Sequence, residues 1–231
     1  MPTHRQRSFI AEVTAQSGTF HFLDQLHGGP VILETTEIQP PAKRPKTFPY
    51  FAFMRGFRGR PGKPGKGVFR GVLVASQMPH GSNDRREKVK RYNDSHYLGH
   101  RAETVDVPPL HLYFRSVENG YRLYVRSKVR FGKAIFMLSE QCLGAATHES
   151  EGRYANLFHL LNADNQMLDP TVAGDSFTFR LAQVNQNTPF QLRTFKKAAY
   201  TYICAEGEGP LELNMRILQR NAPYLSNPGE V

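Results

Sequence analysis

The side chains of this 231-residue chain that could do chemistry are basic residues crowded into one segment. Residues 43–101 carry fifteen lysines and arginines and three acids, a net +12, whereas the whole chain carries +10. Charge concentrated in this way favours a surface that binds a polyanion, and a set of solubilising loops is the alternative. We predict phosphate contacts from eleven of these side chains: Arg55, Arg58, Arg60, Lys63, Lys66, Arg70, Arg85, Arg86, Lys88, Lys90 and Arg91.

Within this segment, Arg58-Gly59-Arg60-Pro61 resembles the core of the AT-hook, a small motif that binds the minor groove of A·T-rich DNA. The resemblance implies that glycine allows close approach and that both arginines enter the groove where its potential is most negative. Phe57 stands where the motif has its leading proline, so the match covers four residues. Phosphate binding by the same loop, without readout of the groove, is the alternative interpretation.

A second motif, PPAKRPK at residues 40–46, is typical of nuclear import signals. Its prolines keep the backbone extended, so that Lys43, Arg44 and Lys46 remain exposed to a receptor. An exposed basic linker would have the same composition.

A third cluster, DRREKVKRYNDSHYLGHR at residues 84–101, alternates basic side chains with Tyr92 and Tyr97. The basic side chains could follow a nucleic-acid backbone while an aromatic ring stacks on an unpaired base. A charged surface helix with its tyrosines packed inward is the alternative, and a short helix is expected within residues 84–92.

No catalytic residue, metal site or cofactor is predicted. Gly67 takes the position at which a phosphate-binding loop needs Ser or Thr, and His96 and His100 lack further ligands in a metal-binding pattern. Neither Cys142 nor Cys204 lies in a nucleophile motif. Because no secretory signal is recognisable, we expect both thiols to be reduced and buried.

The elements that must position these side chains are short β-strands. Apolar or alternating runs, separated by Gly, Pro and Asn turns about every ten residues, indicate ten to twelve strands. Asn119-Gly120 between two such runs is a strong hairpin signal. Phe48–Met54 and Val68–Ala75 bracket a Gly/Pro/basic loop and predict a long hairpin with a cationic tip.

This pattern predicts an all-β fold, an antiparallel sandwich or jelly roll with long basic loops. A β-trefoil-like C-terminal half is the alternative, suggested by the loosely similar segments LYFRS, FHLLNA and FQLRTF. We expect a single domain over residues 1–231. A split near residue 108 would instead separate a basic part, 1–108, from a β-rich part, 109–231.

Together these features predict a non-enzymatic protein that binds nucleic acid or another polyanion in the nucleus, through basic loops 43–70 and 85–101. A viral capsid protein of jelly-roll type, located in the virion, and a module that binds acidic glycans are the alternatives. No apolar run follows the charged start MPTHRQRS, so neither a signal peptide nor a membrane partner is expected. A homo-oligomer is compatible with the sequence, which leaves open DNA versus RNA and any base preference.

Overall fold

The computed structural model describes residues 3–38, 87–138, 141–147, 157–184, 186, 188–195 and 199–223. Over these residues the chain forms fourteen β-strands, a few more than expected, and two four-residue helices. The sheets are antiparallel, and the all-β prediction is confirmed. The hairpin expected from Phe48–Met54 and Val68–Ala75 lies outside the described residues.

The helices are α1 (His4–Arg7) and α2 (Leu23–Leu26). The strands are β1 (Phe9–Ala15), β2 (Thr19–Phe22), β3 (Ile32–Ile38), β4 (Glu87–Asn93), β5 (Leu98–Arg101), β6 (Leu110–Val117), β7 (Gly120–Val125), β8 (Ala134–Met137), β9 (Leu143–Ala146), β10 (Phe158–Leu161), β11 (Ser176–Gln183), β12 (Gln191–Thr194), β13 (Thr201–Cys204) and β14 (Leu213–Arg220). None of the helices in the described part of the chain is long and apolar enough to cross a membrane.

The chain divides into two compact units, residues 1–33 together with 91–231, and residues 34–90. We call the second unit the insertion. Most of β3 and β4 belongs to it, and these two strands pair with each other as a separate sheet.

Six strands of the first unit close into a ring of antiparallel pairs, which we call the barrel. Around the ring β1 pairs with β6, β6 with β7, β7 with β10, β10 with β11, β11 with β14 and β14 with β1. The ring closes where Phe158 of β10 pairs with Tyr121 of β7. A side chain at Gly120 would lie 2.7 Å from the carbonyl oxygen of Phe158, so this closure requires glycine there.

Three further strand pairs, β2 with β5, β8 with β9 and β12 with β13, complete the first unit. The chain therefore contains the same four-strand group three times. In each group a barrel strand is followed by a strand pair and then by a second barrel strand. The groups are β1–β2–β5–β6, β7–β8–β9–β10 and β11–β12–β13–β14. The insertion interrupts the strand pair of the first group.

Alternation of side chains builds the core of the barrel. In β6, Leu110, Leu112 and Phe114 are buried on one face of the strand, as strand geometry requires. Phe114 stacks on Phe9 of β1 with the ring centres 4.7 Å apart and meets Phe179 of β11 edge-on at 6.5 Å. Each such buried side chain contributes about 1.5–3 kcal/mol to folding.

Two local predictions can be compared with the structure. The expected hairpin between β6 and β7 is confirmed, with Val117 opposite Gly120, so that the turn residues are Glu118 and Asn119. The short helix expected within residues 84–92 is wrong, because residues 87–93 form β4. Pairing with β3 fixes the extended backbone there, and charge spacing alone could not reveal that partner.

Cys142 and Cys204 face each other across an antiparallel bridge and form a disulfide. Both are fully buried, as expected, but the prediction of reduced thiols is wrong. The two residues lie 62 positions apart, just before β9 and at the end of β13, so only the tertiary fold brings them together.

Candidate polyanion interface

The structure describes only part of the predicted interface. Of the eleven predicted phosphate contacts, Lys88, Lys90 and Arg91 lie in β4; for Lys88 only the backbone is described. The others lie outside the described residues: Arg55, Arg58, Arg60, Lys63, Lys66, Arg70, Arg85 and Arg86. The import-signal residues Lys43, Arg44 and Lys46 also lie outside them.

The two tyrosines predicted to stack on bases have different environments. Tyr92 is 49% exposed at the end of β4 and can meet a flat ligand. Tyr97 is buried, and its ring contacts the ring of Tyr202 edge-on with the centroids 5.7 Å apart. It is therefore part of the hydrophobic core. Nearby, His100 contacts the carbonyl oxygen of Ser17 through Nε2 at 2.7 Å.

Residues 30–31 and 93–95, which we call the stem, mark where the chain leaves the barrel and returns to it. The amide of Asp94 donates to the carbonyl of Val31 at 2.9 Å, and the amide of Val31 donates to Ser95 Oγ at 2.9 Å. The hydroxyl of Tyr202 donates to Asp94 Oδ2 at 2.7 Å. Burial, together with this bond, raises the pKa of Tyr202, so the hydroxyl stays protonated and keeps donating. The stem is therefore tied both to itself and to β13.

Arg130, which lies in the connection between β7 and β8, binds the stem. Its guanidinium donates to both carboxylate oxygens of Asp24 and, at 2.9 Å, to the carbonyl of Ser95. It also lies over the ring of Phe22, 4.5 Å from the centroid. The two charged side chains are only 12% and 19% exposed. Arg130 adopts a left-handed backbone with φ 62°, a conformation that costs a non-glycine residue about 1 kcal/mol or more and that these contacts maintain.

Residues 126–133, which we call the basic turn, add a cluster that the sequence reasoning missed. The guanidinium of Arg126 lies between the rings of Tyr113 and Phe131, 5.2 and 5.1 Å from their centroids. Two apolar side chains of the turn, Val129 and Phe131, are 41% and 42% exposed. The turn contains four basic residues and no acid: Arg126, Lys128, Arg130 and Lys133. Four basic residues without an acid could have revealed this cluster from the sequence. The segment was instead interpreted as a continuation of the strand β7.

Two histidines near the stem have lowered pKa values, which disfavours their charged form. Burial lowers the pKa of His21 to about 4; Asp24 opposes this shift and Arg130 adds to it. Burial also lowers the pKa of His96; the charge of Asp94 opposes this shift, and the charge of Arg130 adds to it.

A surface cleft of about 610 Å³ lies between α2 and the stem. Its lining includes Asp24, Gln25, Asn93 and Arg130. Because the charges of Asp24 and Arg130 are already paired, the cleft offers mainly neutral hydrogen-bonding groups. Phosphate contacts are better supplied by exposed side chains such as Lys128.

Comparison with known proteins identifies no relative of this chain. No protein-family model matches it, and neither a curated protein nor a solved structure does.

Proposed function

We propose that the protein is a non-enzymatic polyanion-binding β-protein in which a nearly neutral first unit carries a basic insertion. The observation that supports this most strongly is the distribution of charge between the two units. Residues 34–90 carry a net +9, whereas all remaining residues together carry +1. The pairs that close the barrel use no strand of the insertion. The closure of the barrel therefore does not require the charge of the insertion. Charge that is concentrated in one unit in this way is expected where it serves binding.

We infer that the first unit is a β-trefoil rather than the predicted sandwich or jelly roll. The three-fold repetition of barrel strand, strand pair and barrel strand supports this, as does the closed ring of six strands. Closure leaves neither side of these strands open as an edge. Such a rigid scaffold suits an interface carried by the connections between strands.

Binding would begin with the basic side chains of the insertion, which neutralise phosphate or sulfate groups and release their counterions. The basic turn, which belongs to the first unit, would supply further contacts of its own. Lys128 is exposed and can reach an anionic group, while Phe131 can stack on a base or a sugar. The bonds of Arg130 to Asp24 and Ser95 would keep the turn beside the stem.

Nucleic acid in the nucleus is the first candidate ligand, on the basis of the import-like run and the Arg-Gly-Arg-Pro segment. An acidic glycan is the second, and the disulfide between Cys142 and Cys204 favours it. Structural disulfides persist mainly in oxidising compartments, where acidic glycans are common ligands and nucleic acid is not.

The test is a titration of a labelled DNA duplex and of a heparin fragment over a series of salt concentrations. For about five neutralised phosphates, the logarithm of the DNA affinity should fall against the logarithm of salt with a slope near −4 to −5. Tighter binding to heparin in mutual competition would select the glycan. Salt-independent binding, or no binding to either polymer, would contradict the proposal.

A further inference from the structure

A second, smaller cleft of about 190 Å³ lies at the barrel strand ends away from the three strand pairs. It is lined by Arg7 at the end of α1, by residues 116–121 around the β6–β7 turn, and by residues 167–170 of the β10–β11 connection. The polyanion proposal uses none of these residues.

Arg7 supplies a hydrogen-bond donor to the cleft. Its Nε is buried and has no hydrogen-bond partner among the residues that the structure describes. Because the Nε is closed to solvent, the terminal nitrogens of the guanidinium are the groups that would donate to a ligand oxygen in the cleft.

Asp169 supplies an acceptor, and its carboxylate is already oriented. Its Oδ1 accepts from the amide of Thr171 at 2.9 Å and from the hydroxyl of Thr171 at 2.7 Å. Both bonds hold the pKa of Asp169 below its ordinary value, and the charge of Arg7 adds to the effect. The group is thus ionised at neutral pH, and its Oδ2 makes no hydrogen bond within the described part of the chain.

Tyr121 supplies a group that can both donate and accept. Its ring is fixed against Phe9 and Phe114, with centroid distances of 5.7 and 6.1 Å. Burial raises the pKa of Tyr121 to about 12, and the charge of Asp169 contributes to the shift. The hydroxyl therefore remains protonated throughout the physiological range.

These groups define the ligand that would satisfy them. A guanidinium only donates and a carboxylate only accepts, so a ligand that meets both must present an acceptor to one and a donor to the other, and neighbouring hydroxyls supply both. Glu118 also lines the cleft, so two carboxylates face one guanidinium and an anionic ligand is disfavoured. Met167, 68% exposed, adds an apolar surface for the C–H groups of a ring.

We propose that this cleft binds a neutral, hydroxyl-rich small molecule with the chemistry of one sugar residue. Arg7 donates to a ligand oxygen, Asp169 accepts from a ligand hydroxyl, and the Tyr121 hydroxyl donates to or accepts from a further ligand group. The site shares no residue with the proposed polyanion interface.

The experiment is an NMR titration of the full chain with glucose, galactose and mannose, followed at the backbone amides of Asn119, Gly120 and Leu168. Glucuronate and serine serve as anionic and zwitterionic comparison probes. At least one neutral sugar should shift these resonances saturably and bind more tightly than either charged probe. Arg7→Gln should weaken binding about tenfold or more, the effect of losing one charge-assisted hydrogen bond.

Asp169→Asn retains an acceptor for Thr171 while removing the charge, and it should weaken binding to a similar degree. Tyr121→Phe keeps the ring contacts and tests the hydroxyl alone; it should also weaken binding. Arg5→Gln, on the exposed side of the same helix, is the matched control and should change affinity less than twofold. Thermal unfolding checks that each variant is folded, and if Arg7→Gln is not, the other two decide.

The proposal is overturned if no neutral sugar gives a saturable shift, or if glucuronate or serine binds more tightly. It is also overturned if the folded variants bind the sugar as tightly as the unmodified protein. Variants of the insertion should leave this titration unchanged, so that failure here and failure of polyanion binding remain distinguishable.

Discussion

Arg130 is the residue whose replacement most directly tests how the stem is held. Replacing it by lysine keeps the positive charge but removes the planar fork that pairs with both oxygens of Asp24. It also removes the bond to the carbonyl of Ser95 and the contact over the ring of Phe22. Because the arginine side chain is only 12% exposed, water can replace these partners only in part.

The expected loss follows from these contacts. Two hydrogen bonds contribute about 1 kcal/mol each, and the cation–ring contact contributes about 0.5–1 kcal/mol. Arg130→Lys should therefore lower the free energy of unfolding by about 2–3 kcal/mol. For a chain of this size, that corresponds to a fall in Tm of about 5–10 °C.

Urea unfolding, followed by circular dichroism and tyrosine fluorescence, gives the free energy. Lys128→Ala, in the same turn but exposed, is the control and should stay within about 0.5 kcal/mol of the unmodified protein. A double-mutant cycle with Asp24→Ala and Arg130→Ala should give a coupling energy of about 1–3 kcal/mol. Loss of less than about 0.5 kcal/mol in Arg130→Lys, or no coupling to Asp24, would refute the anchoring role.

Three further outcomes are expected. The double change Arg58→Ala with Arg60→Ala should weaken DNA binding equally on A·T and G·C duplexes. It should also reduce the salt slope of the DNA affinity by about two. A loss confined to the A·T duplex would instead identify minor-groove readout. Lys128→Ala combined with Lys133→Ala should also lower DNA affinity and the salt slope at unchanged Tm; an unchanged titration would exclude the basic turn from the interface. Cys142→Ser should destabilise the fold by about 4 kcal/mol, the loop-entropy value for a 62-residue separation, measured by urea unfolding. A change below about 1 kcal/mol would argue against a structural disulfide.

The sequence predicted the strands better than their arrangement. Alternation along β6 and the hairpin signal at Asn119-Gly120 both depend on neighbouring residues, so a local pattern reveals them. The closure of the ring depends on Phe158 meeting Tyr121, and nothing local specifies that contact. The same holds for the pairing of Cys142 with Cys204.

The three-fold repetition was concealed by the insertion. Residues 23–97 separate β2 from β5, whereas only residues 138–142 separate β8 from β9. The similar segments LYFRS and FHLLNA do fall in equivalent strands, β6 and β10. The third segment, FQLRTF, falls in β12, and the strand equivalent to β6 and β10 is β14.

The sequence reveals the charged segment, but it does not reveal the contacts between distant residues. Arg130 and Asp24 are 106 residues apart, and Arg7 and Asp169 are 162 residues apart. Each of these residues looks like an ordinary surface charge in the sequence. Their roles come from burial and distance, which exist only once the barrel has formed.

The barrel and the insertion differ in how their charges are balanced. Its long-range ion pairs, such as Arg216 with Glu12 and Arg180 with Glu212, use arginines and acids in nearly equal number, so they leave little net charge. The insertion has few acids with which its basic side chains could pair in the same way. Self-repulsion among like charges opposes compaction, and an anionic ligand relieves it. Polyanion binding should therefore stabilise the insertion more than the barrel.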